Sequence, residues 1–189
     1  MSTRGAIGFR IDGEDKISYN HSDSYPDWLG KSFVKQARKL AKVPDLADKV
    51  RKLQMVDQND TPTQEQLESL KKAGIVPNLN VGNQSENDWY CLLRDNQGDL
   101  IQTLKTGIAI DSGPFIADSL FCEYAYIINL DTRKVEFYRG FQEAKHDFGR
   151  YGHLKETYPN GSTYWGCKLV GEFPLDNIPR NWAKVFPKE

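Results

Sequence analysis

Little in this chain pairs, repeats or runs long. Its 189 residues hold three cysteines, Cys91, Cys122 and Cys167, an odd number at wide spacing. A disulfide framework is therefore not expected, and reduced thiols are. The three histidines, His21, His146 and His153, never stand three or four residues apart as a helix-borne pair of metal ligands does, so no metal-ligating motif is present. Neither sign of charge dominates: 25 basic against 26 acidic residues give a net charge of -1. That balance removes the electrostatic case for a nucleic-acid or anionic-membrane binder, a local basic patch aside. No apolar run approaches bilayer length. The opening residues, Met1 to Gly5, lack the basic-then-apolar layout of a signal peptide. A cytoplasmic location is the expectation.

Signature motifs are missing as well. The chain has no Gly-x-x-x-x-Gly-Lys-Ser/Thr and no Gly-x-Gly-x-x-Gly, which disfavours ATP- and nicotinamide-dependent chemistry. Gly-x-Ser-x-Gly is absent too, and with it the serine-hydrolase elbow. No cofactor is implied. Asp111, Asp118 and Glu123 supply carboxylates of the kind a magnesium site uses, but their spacing is not diagnostic, and solvated or hydrogen-bonded carboxylates near strand ends are the simpler reading.

What is present reads as α+β, a largely antiparallel sheet with packed helices. Hydrophobic residues make up 39% and charged residues 27%, enough for one globular domain over residues 1–189. Ile7, Phe9 and Ile11 alternate before Asp12-Gly13, and Ile17 and Tyr19 alternate after it, which predicts a hairpin over residues 6–20 with Ile7, Phe9 and Ile17 buried. Helical spacing follows at Leu29, Phe33, Ala37 and Leu40. Pro44-Asp45 opens a second helix, and Thr61-Pro62-Thr63-Gln64 a third, ended by Gly74. Residues 45–87 are expected to form a helical lobe with an exposed loop. A single long helix is expected from Asp88 to Lys105 despite Gly98. The rest reads as hairpins: 121–139, then a unit over 154–173 with Asn160-Gly161 at its tip. The segment Pro174 to Pro179 reads as one helical turn capping the core.

Candidate site residues sit where these strands end. His21, Asp23, Ser24 and Tyr25 follow one strand. Asp118, Cys122, Glu123 and Tyr124 open another, and Arg139 and Gln142 close a third. Glu123 lies in a run that otherwise reads as buried, so it either pairs with Arg4 or Arg139 or serves a ligand. Cys122 reads as a small core residue rather than a nucleophile.

The stretch from Thr3, through Asp12-Gly13, to Tyr19-Asn20-His21-Ser22-Asp23 resembles the opening of N-terminal-nucleophile hydrolases of the bile-salt-hydrolase and penicillin-acylase type. The resemblance spans about twenty-five residues. It implies an N-terminal-nucleophile-like core in which a free α-amine activates its own hydroxyl to cleave a C–N (amide) bond. Ser2 or Thr3 would be the nucleophile and Asp23 a partner. The pattern departs here: loss of Met1 exposes Ser2 and not Thr3, Tyr19 stands where an arginine precedes the asparagine, and Asp23 lies one residue late.

A broader resemblance rests on Thr3-Arg-Gly-x-x-Gly-Phe9, on Tyr19-Asn-His-x-Asp-Ser-Tyr-Pro26, on Asp118-Ser-Leu-Phe-Cys-Glu-Tyr-Ala125 and on Tyr138-Arg-Gly-Phe-Gln142. These strings look like a family of uncharacterised bacterial and phage proteins, and the likeness extends over most of the chain. It implies a complete single-domain prokaryotic or viral protein and carries no activity. Two functions are thus expected to compete. One is a binder of a small polar molecule, with or without amide hydrolysis, using Arg4, Asn20, His21, Tyr25, Glu123, Arg139 and Gln142. The other is a non-catalytic phage–host interaction protein that binds a host protein or sequesters a nucleotide-like signal. The oligomeric state is left open.

Overall fold

A computed structural model describes residues 3–186. The alternating N-terminal segment forms strands β1 (Gly5–Ile11) and β2 (Glu14–Asn20). Asp12 and Gly13 both take positive φ, 52° and 80°, the two-residue turn that matches strand twist. Its two amides are held by the carboxylate of Asp131, at 2.6 Å and 2.9 Å.

Helices follow. A single π-type turn at Pro26–Gly30 leads into α1 (Lys31–Leu40), and α2 (Leu46–Lys52) starts after Asp45. Strand β3 (Gln54–Val56) precedes α3 (Gln64–Lys72). The cap of α3 is Thr63, in a reciprocal box with Gln66, two residues later than Thr61. Its Pro62 therefore lies outside the helix.

The long helix expected over 88–105 is broken. It divides into α4 (Trp89–Leu93), a 3-10 turn at Arg94–Asn96, and α5 (Leu100–Thr106), followed by β4 (Ile108–Ile110). The cause is local. Gly98 takes φ +80°, a conformation an α-helix interior does not contain. The buried Gln36 of α1 then accepts the Leu100 amide at 2.7 Å while donating to the Gly98 carbonyl at 2.9 Å. Asp99 caps Gln102, so α5 begins afresh.

Strands β5 (Tyr124–Asn129) and β6 (Lys134–Arg139) form the second hairpin. A small separate hairpin, β7 (Lys155–Thr157) with β8 (Thr163–Trp165), turns at Asn160 and Gly161. The expected unit over 154–173 does not stay together: β9 (Lys168–Pro174) leaves β8 and joins the main sheet beside β6.

The main sheet has the order β2-β1-β5-β6-β9. Only β1 and β5 run parallel; the other three pairings are antiparallel. Strand β1 is interior, with Ile7 and Phe9 buried, whereas β2 is the outer strand. Strands β3 and β4 pair separately and in parallel.

One face of the sheet packs against the helices. There Ile7, Phe9, Tyr126, Ile128 and Phe137 meet Phe33, Leu40, Val50 and Leu53. The C-terminal stretch completes this core through Leu175, Ile178 and Trp182. Its helical turn is Trp182–Val185 rather than 174–179, because Trp182 stacks on Phe137 with ring centroids 5.1 Å apart. The opposite face carries Ile17, Ile127 and Tyr138 under Ile116, Tyr151 and Cys167. Within the 45–87 segment, Leu46, Val50 and Leu53 enter the main core, while Leu70 of α3 packs with Trp89 and Leu92 in a smaller cluster. No helix among the described residues is long and apolar enough to cross a membrane.

Candidate functional site

Strand register gathers most of the sequence-derived residues at one end of the sheet. Asn20, Gly5, Tyr124, Arg139 and Lys168 lie in one row across all five strands. On the helix side of this row the centre is Ser24, fully buried. Its amide donates to the Thr3 carbonyl at 3.2 Å, its hydroxyl accepts from Asn20 Nδ2 at 2.8 Å, and its carbonyl accepts from the Tyr126 hydroxyl at 2.9 Å. Gly5 is needed here: a Cβ would stand 2.5 Å from the Tyr124 carbonyl oxygen and 2.7 Å from the Ser24 side chain. Thr3 is 3% exposed, while Ser2 lies outside the described residues. Asp23 is exposed and takes φ +56°.

Beside them Tyr25 leans on Tyr124, with centroids 6.0 Å apart, and Arg139 lies 4.3 Å from the centre of the Tyr124 ring. Glu123 joins both arginines through its backbone. Its amide donates to the Arg4 carbonyl at 3.1 Å and its carbonyl accepts from Arg139 at 3.2 Å. Its carboxylate makes no ion pair with either arginine among the described residues. Gln142 braces its own loop: its backbone amide donates to the Ser119 hydroxyl oxygen at 3.0 Å and its side-chain amide to the Gly140 carbonyl at 2.7 Å. Cys122 is fully buried, and burial together with Cys167 pushes its thiol well up, so it stays a neutral core thiol.

A second group forms around His21, at the exit of β2. The Tyr19 hydroxyl lies 3.1 Å and the Tyr90 hydroxyl 3.4 Å from His21 Nδ1. The His21 amide donates to Gln97 Oε1 at 3.0 Å, and Arg94 donates to the same oxygen at 3.1 Å. Arg4 lies over the half-exposed Phe121 ring, 5.3 Å from its centre. Burial first, then the charges of Arg94 and Arg4, hold the His21 imidazole below its usual pKa. Burial raises the Tyr19 hydroxyl against the pull of Arg4. Burial and the two arginine charges thus favour the neutral ring, whose Nδ1 faces both tyrosine hydroxyls.

A cleft opens beside this group, between the β1–β2 hairpin and the broken helix. Its floor is apolar, from Ile7, Phe9, Leu53, Leu93, Leu100 and Ile108. Its rim is polar, from Tyr19, Tyr90, Asn96 and Gln97. The enclosed volume is about 40 Å³, room for roughly two or three waters or a few ligand atoms. Asn96 Nδ2 is buried without a hydrogen-bond partner among the described residues. None of Thr3, Arg4, Asn20, His21, Asp23, Tyr25, Glu123, Arg139 or Gln142 lines the cleft; His21 touches it only through the two tyrosines.

Tyr90, Arg94, Asn96 and Gln97 escaped the sequence reading because a continuous helix would turn them to solvent. The one available signal was Gly98, which divides the apolar stripe and brings the intervening polar residues against β2. Among the described residues no three His, Cys, Asp or Glu side chains could together hold a metal.

The depressed imidazole has a thermodynamic consequence. The unfolded chain protonates His21 near pH 6.5, while the folded chain resists until a lower pH. The His21 contribution to stability is thus complete above that pH and falls as pH drops from 6.5 through the lower folded value. His21→Asn is expected to flatten this acid slope, read as the thermal midpoint followed from about pH 8 to pH 5. An unchanged slope would show that the imidazole titrates normally. No family model, curated protein or solved structure matches the chain.

Proposed function

We propose that this protein binds a small polar molecule in the cleft between the β1–β2 hairpin and the α4–α5 break. The observation that carries this reading is Asn96 Nδ2, a buried donor with no acceptor among the described residues, on the wall of an apolar cleft. Such a group costs about 1–3 kcal/mol when left unpaired, and a ligand acceptor offsets that cost. An apolar floor with a few convergent polar groups and a perturbed histidine beside it is the usual composition of a ligand site. The present volume admits only the inserted end of a ligand, which argues for a small molecule.

Amide hydrolysis by an N-terminal-nucleophile-like core is the second reading. Its support is that β1 brings Thr3 to the same sheet end as Asn20 and Ser24. That chemistry needs a hydroxyl residue at a free amino terminus. Binding without turnover is what sequestration of a signal molecule would require, and the cleft serves that role without any nucleophile.

Native mass spectrometry of the full chain, beside its Asn96→Leu variant, tests the first reading. A small molecule retained by the unsubstituted chain and lost from the variant is expected. Retention by both would place the ligand elsewhere. Intact mass under denaturing conditions tests the second. A mature chain beginning at Thr3, with amidase activity abolished by Thr3→Ala, would replace binding by catalysis.

A further inference from the structure

We propose that Cys122 and Cys167 are a convertible thiol pair. A small organic disulfide such as glutathione disulfide closes them into a bond that locks β9 to the entry of β5.

Distant segments bring the two residues together. Cys122 closes the turn that begins at Asp118, its amide donating to the Asp118 carbonyl at 2.8 Å, and β5 starts two residues later. Cys167 stands where the chain leaves β8 for β9. Its amide donates to the Ile116 carbonyl at 3.0 Å, so the crossover is seated on the segment that leads into Cys122. Its thiol donates to the Cys122 carbonyl at 3.2 Å, across 45 positions of sequence. Both side chains are fully buried in one cluster with Ile116, Tyr138 and Tyr151. The thiols also meet: burial first, then the hydrogen bond with the Cys167 thiol, keeps Cys122 protonated.

The surroundings favour a disulfide over other thiol chemistry. Two thiolates alone do not make a zinc site, and among the described residues no group of three His, Cys, Asp or Glu side chains completes one. A protonated, buried thiol is not a nucleophile in the closed fold. A cystine carries no charge and suits an apolar cluster. Cys91 belongs elsewhere, on α4, where its thiol donates to the Val81 carbonyl at 3.1 Å. The odd count is thus one adjoining pair and one separate residue, all three unbonded thiols in the structure.

The exchange balances. When the loops open, the thiolate of one cysteine attacks a sulfur of glutathione disulfide, and one glutathione thiolate leaves. The second cysteine thiolate then attacks the protein sulfur of the mixed disulfide, and the second glutathione leaves. Two protein thiols are oxidised, one glutathione disulfide is reduced to two thiols, and the two cysteine protons end on them. Both sulfurs are buried, so the first attack waits for local opening and is slow in the folded chain. The closed bond restrains the crossover that sets β9 beside β6. It also ties together the chain on either side of Arg139, since Tyr124 and Lys168 are its neighbours in the row across the sheet.

The test holds the full chain in excess glutathione disulfide, with mild urea below the unfolding transition to speed local opening. Remaining thiols are then alkylated after denaturation. The thiol count is expected to fall from three to one, with a mass loss of two hydrogens and no glutathione retained. Peptide mapping should join Cys122 to Cys167 and find Cys91 alkylated. Dithiothreitol should restore all three thiols. The oxidised chain is expected to melt roughly 5–15 °C higher, as closing a loop of this length implies. Cys91→Ser should leave the cross-link unchanged and Cys167→Ser should abolish it. If Cys167→Ser does not fold, the peptide map of the unsubstituted chain decides. Three thiols remaining, a lasting glutathione adduct, or a bond that includes Cys91 would overturn the pair. A Cys122–Cys167 bond that lowers the melting midpoint would overturn the lock.

Discussion

Replacing Arg150 by methionine is expected to cost about 3–5 kcal/mol of folding stability, the usual consequence of stranding a buried charge. The reason lies on the sheet face away from the helices. Glu136 is only 4% exposed. One of its carboxylate oxygens accepts from Asn129 at 2.7 Å; the other accepts from Arg150 at 2.7 Å and from the Tyr138 hydroxyl at 2.9 Å. The same guanidinium spans to Asp15 at 3.0 Å, where the Tyr151 hydroxyl and Arg10 also donate. Burial, with the nearby carboxylates, pushes the Tyr138 and Tyr151 hydroxyls far above the phenol range, so both stay protonated as donors.

Methionine fills much of the volume of the arginine stem, and the loss then reports the charge. Denaturant unfolding of the variant measures it. Adding Glu136→Gln to Arg150→Met should recover part of the loss, since the stranded carboxylate is then removed. A single variant within 1 kcal/mol of the parent chain would show that this network is solvated and not a clamp.

Phe137→Ala is expected to cost a similar amount, about 3–5 kcal/mol, from lost burial and the cavity left behind. Phe137 has no exposed surface. Five rings surround it, Phe33, Tyr126, Phe173, Trp182 and Phe186, with centroids between 5.1 Å and 6.2 Å away. Two of them belong to the stretch after β9, which has no strand of its own to hold it. Loss of the ring should therefore release that stretch first. Trp182 fluorescence is expected to shift towards the solvent-exposed value before the rest of the chain unfolds, and amide exchange near residues 178–186 should rise. Coincident loss of all signals, with a cost below about 1.5 kcal/mol, would show that the core recloses over the gap.

The elements legible in the sequence are those whose signals are local. Alternation around Asp12-Gly13 defines β1 and β2, and the aromatic and β-branched run from Tyr124 defines β5 because it is buried on both faces. Strand ends then locate the polar residues between and beyond them, which is why Asn20, Tyr124 and Arg139 fall in one row. Sheet order was not legible. Nothing in Lys168–Pro174 says that it pairs with β6 instead of β8, since both partners offer the same backbone groups. The break after Asn96 was hidden for a related reason: Leu92, Leu93, Leu100 and Leu104 keep helical spacing across Gly98, although Leu92 and Leu100 enter different hydrophobic clusters. Half of the cleft was lost with that break.

The parallel pairing of β1 with β5 sets an order of events during synthesis. Strand β1 ends at Ile11, and its interior neighbour begins only at Tyr124. At roughly 5–20 residues per second, the first hairpin emerges and then waits on the order of ten seconds for the strand that covers its other edge. Throughout that interval Ile7 and Phe9 stand on a two-stranded ribbon, which is marginally stable by itself, with one edge of β1 unpaired. Closure must then bridge more than a hundred residues, so the chain is expected to fold late and slowly relative to its length. The N-terminal ribbon is the segment most exposed to misassociation while it waits.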